Sequence, residues 1–98
     1  MTRVMKVRWL RKAVRNLDDE ATYIAADDTE AARRVVQRVL EAVSMLEEQP
    51  GLGRPGRVPG TRELVVARTR YIVPYRVRGE TVEILRVFHT SRRRPGRW

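Results

Sequence analysis

A chain of 98 residues has room for one small domain, taken here as residues 1–98 with a basic tail from about residue 90. It has no cysteine and one histidine, which excludes a disulfide framework and a Cys-based zinc site, argues against a His-rich metal site, and fits a reducing cytoplasm; no cofactor is expected. Net charge is +9, yet residues 1–49 carry nine Lys/Arg against nine Asp/Glu, so the whole excess lies in residues 50–98, which carry twelve Arg against three Glu. Arginine forks match phosphates and carboxylates bidentately, so that half predicts an anionic partner, either nucleic acid or an acidic protein segment.

At the N-terminus VMKVRW (Val4–Trp9) alternates apolar and basic residues, the pattern of a short strand. The basic start lacks the continuous apolar stretch of an export signal, and no run approaches the roughly 18–20 apolar residues of a membrane span. Leu10, Val14, Leu17, Ala21, Ile24 and Ala25 then recur at three- and four-residue steps, predicting a helix that ends near Asp27, with Tyr23 in its core. Asp28 is placed to cap a second helix, and Glu30 falls in its first turn, where the dipole favours negative charge. Its predicted apolar stripe is Ala32, Val35, Val36, Val39, Leu40, Val43 and Leu46, and Pro50–Gly51 ends it. The short break between the two implies an αα-hairpin.

GLGRPGRVPG (Gly51–Gly60) reads as an ordered connector. Beyond it the period becomes two, predicting strands near Arg62–Ala67, Tyr71–Val77 and Thr81–His89, with a tight turn at Gly79. Pro74 has no N–H, so that point of its strand must be an edge or a bulge. Val82 and Ile84 have one parity and Leu85 and Val87 the other, which again calls for a bulge or for two covered faces. The order β-α-α-β-β-β predicts an α+β domain of two layers, a helical hairpin packed on a small, mainly antiparallel sheet.

This order resembles the RelE/ParE superfamily of bacterial type II toxins. LGRPGRVPGTREL is similar to the loop those proteins place before their second strand. YIVPYRVRGETVEILRVFH is similar to their third and fourth strands, the last ending Arg-Val-x-His. The resemblance spans about Val4 to Pro95. It implies a toxin partnered by an acidic antitoxin, ParD- or RelB-like, and one of two targets: DNA gyrase for ParE-like members, or mRNA in the ribosome, cut without a metal, for RelE-like ones.

Metal-free RNA cleavage needs a base for the 2′-OH, a cation for the phosphorane and a proton donor for the leaving oxygen. RelE-like members usually carry an arginine after the first aromatic of the third strand, where this chain has Ile72 after Tyr71. Their His-Tyr pair at the end of the last strand is matched by His89 alone, since Thr90 follows it. Substitutes for the missing groups are Arg68, Arg70 and Arg86 as cations, His89 as acid or base, and Glu63 or Glu83 as base. Arg86, His89, Arg92, Arg93 and Arg94 are the candidate target- or nucleic-acid-binding residues. Tyr71 and Tyr75 share one parity and either stack bases or pack a sheet face. The incomplete nuclease set favours a ParE-like toxin. A RelE-like ribosome-dependent endoribonuclease and a non-toxic basic nucleic-acid-binding module stay open beside it.

Overall fold

The computed structural model describes residues 4–91. Strand β1 (Lys6–Trp9) leads into helices α1 (Arg11–Ala25) and α2 (Thr29–Ser44), the second ending in a 3₁₀ turn at Met45–Glu47. Strands β2 (Arg54–Pro55), β3 (Arg62–Val65), β4 (Tyr71–Arg78), β5 (Thr81–Ile84) and β6 (Phe88–His89) follow. The sheet order is β1-β5-β4-β3-β2, with β6 also paired to β4; β1 runs parallel to β5 and every other pairing is antiparallel. The predicted helical hairpin on a mainly antiparallel sheet is therefore the observed architecture. Two short additions modify it. Arg54–Pro55 inside the glycine-rich connector pairs with Arg62–Glu63 as an edge strand, and the predicted last strand is split in two.

The split has a visible cause. Tyr75 pairs with Ile84 and Ile72 pairs with Phe88, so the two intervening residues Val73 and Pro74 face three, Leu85, Arg86 and Val87. This is a bulge opposite the proline, which cannot donate to a ladder. The Leu85 amide donates to the Pro74 carbonyl at 2.9 Å, and the Val87 amide finds Asn16 Oδ1 on α1 at 3.1 Å.

Helix α2 starts as predicted, with Asp28 Oδ1 accepting the Ala31 amide at 3.0 Å. Its sheet-facing side is Val39 and Val43, continued by Leu46 of the 3₁₀ turn, packed with Ala13 of α1 against Leu64, Val66, Tyr71, Val73, Tyr75, Val82, Ile84 and Val87. Three expectations fail here. Leu40 is 48% exposed, Tyr23 is 70% exposed and Val14 is 44% exposed. In a hairpin laid on a sheet, the apolar residues of each helix divide between the sheet side and the crease shared with the other helix, so one stripe does not equal one buried face. Helix α1 instead turns Ala13, Leu17, Glu20 and Ile24 inward.

Tyr75 ties the connector to this core. Its ring is fully buried, and its hydroxyl accepts the Gly53 amide and donates to the Pro50 carbonyl, both at 2.8 Å. Gly53 must lack a side chain, because a Cβ there would stand 2.9 Å from the Glu63 carbonyl oxygen and 2.7 Å from the tyrosine ring. Among the described residues no helix is long and apolar enough to cross a membrane.

Candidate functional site

The pleat sorts the sheet's side chains by parity. Val7, Trp9, Tyr71, Val73, Tyr75, Val82 and Ile84 turn towards the helices. Lys6, Arg8, Ile72, Pro74, Arg76, Arg78, Thr81 and Glu83 therefore occupy the face turned away from them. This is where the resemblance to RelE-like proteins would place a nuclease arginine, and the residue there is Ile72, almost fully buried.

His89 lies on the opposite side. The bulge shifts the parity of everything after it, so His89 pairs with Tyr71 on the helix side, their rings 5.2 Å apart and nearly perpendicular. Its Nδ1 accepts the Ser91 amide at 3.2 Å and lies 2.7 Å from the Ser91 hydroxyl. An amide can only donate, so the Ser91 amide contact uses the tautomer with the proton on Nε2, while the Ser91 hydroxyl can serve either tautomer. Beneath the ring pair, the Tyr71 hydroxyl donates to Glu20 Oε1 at 2.8 Å, inside the core. The base-stacking reading of Tyr71 and Tyr75 is thereby removed, since both are buried.

The proposed cations do not converge on His89 as a set. Arg70 borders the same cleft as His89, with Tyr23, Ile24, Val35, Tyr71 and Ser91. Arg68, at a left-handed φ of 62° in the β3–β4 turn, lies over α2, where its carbonyl accepts from Arg38 Nη1 at 3.1 Å. Arg86 sits in the bulge, its Nη1 bonded to the Leu85 carbonyl at 2.7 Å, and burial lowers its pKa. Arg92, Arg93 and Arg94 lie outside the described residues.

Both candidate carboxylate bases are already engaged. Glu63 accepts from the Arg57 amide at 3.0 Å and pairs with Arg54 Nη2 at 3.3 Å. Glu83 accepts from Arg76 Nε at 2.6 Å with Arg78 Nε at 3.7 Å, and the Arg76 hydrogen bond in particular holds its carboxyl below the usual range. A carboxylate stabilised in its charged form is a weak base at neutral pH. Among the described residues no group of acids and histidine could hold a metal ion.

Sequence reasoning passed over Glu20, Asn16 and the Arg76–Glu83 pair. Glu20 was detectable: it continues the step from Ala13 through Leu17 to Ile24, and a carboxylate inside an apolar stripe signals a buried partner.

A second surface feature is a groove of about 660 Å³ along the crease between α1 and α2. Ala21, Ala25, Ala32, Val36 and Leu40 give it an apolar floor, with Arg33 and Glu41 at its margin. The exposed leucine of α2 thus belongs to a solvent-facing apolar strip.

Comparison with known proteins agrees with this architecture. Y4kP of Sinorhizobium fredii strain NGR234, by its name a proposed toxin, is 49% identical over 90 residues, covering 92% of this chain and 93% of that protein. The solved structure of a chromosomal ParDE toxin–antitoxin system from P. aeruginosa superposes with a TM-score of 0.81 at 35% identity, covering 91% of this chain and 99% of that one. The toxin–antitoxin complex RelBE2 from Mycobacterium tuberculosis superposes less closely, with a TM-score of 0.65 at 28% identity over 88% and 98% of the two chains. The family model for the ParE toxin of the type II toxin–antitoxin system parDE matches residues 7–94, and the chain belongs to that family.

Proposed function

We propose that this toxin arrests growth by acting on DNA gyrase, without cutting mRNA, and that a cognate acidic antitoxin silences it in the cytoplasm. The observation that carries the first part is the position of His89. It stands on the helix side of the sheet with Nδ1 at Ser91 and Arg70 bordering the same cleft, while both candidate carboxylate bases belong to the other face. Phosphoryl chemistry needs base, cation and acid around one phosphorus. Two groups separated by a packed sheet cannot reach it together. Removing one charge-stabilising donor costs about 10²–10³ in rate, and loss of the general acid or base costs about 10²–10⁴ more.

The apolar groove supports the second part. An amphipathic antitoxin segment, unfolded when free, would lay its apolar face against Leu40 and Val36 and fold on binding. The test is controlled expression in a bacterium, with gyrase-mediated DNA cleavage and primer extension on cellular mRNAs read side by side. The expected result is gyrase-dependent DNA damage, retained in His89→Ala. Codon-phased mRNA cleavage that disappears in His89→Ala would overturn the reading.

A further inference from the structure

On the face of the sheet turned away from the helices, cations are arranged in register. Arg8 of β1 pairs with Glu83 of β5, which pairs with Arg76 of β4; two residues along, Lys6 pairs with Thr81, which pairs with Arg78. Neighbouring strands lie about 4.8 Å apart and a strand advances about 6.7 Å in two residues, so the four cations mark the corners of a rectangle of roughly 10 by 7 Å. Glu83 is the single carboxylate within these three strands, and it is consumed by Arg76 and Arg78. It holds Arg76 through Nε, which leaves the terminal nitrogens of a fixed guanidinium for a second acceptor. Lys6, Arg8 and Arg78 are exposed. The β1 tract KVR and the β4 tract YRVR were legible in the sequence as alternations, but only the register unites them.

The chemistry of the face narrows its occupant. Protein interfaces are built around apolar and aromatic anchors with charge depleted at the centre, whereas protein–DNA interfaces are polar and strongly positive. Within these strands the apolar residues of this face, Ile72 and Pro74, are buried, and its exposed groups are cationic. Single-stranded nucleic acid is held by stacking on aromatic side chains; Trp9, Tyr71 and Tyr75 turn to the helix side, and Phe88, the aromatic of this face among the described residues, is half-buried and pairs with Ile72, four residues along β4 from Arg76. What remains is backbone contact with a duplex. We propose that this face docks the phosphate backbone of double-stranded DNA, with Lys6, Arg8, Arg76 and Arg78 as the phosphate contacts.

The proposal does not depend on which enzyme the toxin inhibits. It is tested on the full chain by fluorescence anisotropy with a short labelled DNA duplex of arbitrary sequence across a salt series. Each phosphate contact contributes about 0.9 to the slope of log K against log salt, so Arg8→Gln/Arg78→Gln should flatten that slope by about 1.8. Lys12→Gln/Arg34→Gln removes the same net charge from the helices and should leave the slope unchanged. Thermal melts should show both variants cooperatively folded, since all four side chains are exposed. Equal losses in the two variants would reduce the effect to net charge and overturn the docking face. An unchanged slope in Arg8→Gln/Arg78→Gln would do the same. Equal or tighter binding of oligo(dT) or of duplex RNA of the same length would overturn the assignment to duplex DNA.

Discussion

Leu40→Asp separates folding from antitoxin binding. Full burial of a leucine is worth about 1.5–3 kcal/mol, and Leu40 is 48% exposed, so only about half of that, near 1 kcal/mol, is realised in the free toxin. Aspartate in a helix interior costs up to about 0.7 kcal/mol more. The sum, about 1–2 kcal/mol, should lower the midpoint by several degrees at about 4–8 °C per kcal/mol, against a typical stability of about 5–15 kcal/mol. The same change at Val43, which is buried against the sheet, should prevent folding. In the complex the accounting differs. A partner helix in the groove would cover the rest of the leucine, and aspartate would leave a charge at an apolar contact, a loss of about 2–3 kcal/mol, or roughly 30–150-fold in Kd. Circular dichroism melts and calorimetric titration with the cognate antitoxin read the two effects separately. A variant that does not fold would place Leu40 in the core after all. A variant that binds at full affinity would remove the groove from the interface.

Tyr75→Phe should cost about 1–3 kcal/mol, because the Gly53 amide and the Pro50 carbonyl both lose their partner; a shifted urea midpoint with faster exchange at the Gly53 amide is the expected signature. Gly53→Ala should destabilise by about 1–3 kcal/mol through overpacking against the Tyr75 ring and the Glu63 carbonyl, read as a lower urea midpoint. Glu83 has a depressed pKa in the folded state, so the stability it contributes is present above the ordinary glutamate value of about 4.3 and is lost as pH falls through the lower folded value. Glu83→Gln should therefore be less stable than the parent at neutral pH, with the gap closing in acid; parallel stability curves down to low pH would show that the Arg76 pair contributes nothing.

The fold was legible where one physical signal acted alone. Asp28 at a helix start, the change from period 3.6 to period two after the connector, and Gly79 at a left-handed turn each need only local chemistry. The parts that escaped depend on a second element. Leu40 and Tyr23 looked like core because a helical wheel does not say that the hairpin's crease stays open to solvent. Arg54–Pro55 becomes a strand only because β3 lies beside it. The side of the sheet on which His89 stands turned on one extra residue. Continuous alternation from Val82 and Ile84 would place Phe88 on the helix side and His89 on the far side; the bulge opposite Pro74 reverses them. Pro74 announced a bulge or an edge, and which of the two it was decided the chemistry available to the histidine.

The same division by sheet face constrains how two partners share the toxin. The groove lies between the helices and the cation rectangle lies on the far side of the sheet, so a sheet and its covering side chains separate them. Packed layers sit about 10 Å apart, and the Debye length at 0.15 M salt is about 8 Å. An acidic segment in the groove would thus be screened from phosphates on the far face at physiological salt, and would be felt there at low salt. Saturating the toxin with the antitoxin's toxin-binding segment, supplied as a peptide, should leave the affinity for a DNA duplex nearly unchanged at 0.15 M, where a Coulombic effect of tenfold would need about 1.4 kcal/mol. At about 0.01 M, where the screening length reaches about 30 Å, the peptide should weaken duplex binding measurably. Stoichiometric displacement of the duplex at 0.15 M would mean that the two surfaces overlap, and either the groove or the cation rectangle would then be misassigned; repeating the displacement with Leu40→Asp and with Arg8→Gln/Arg78→Gln identifies which.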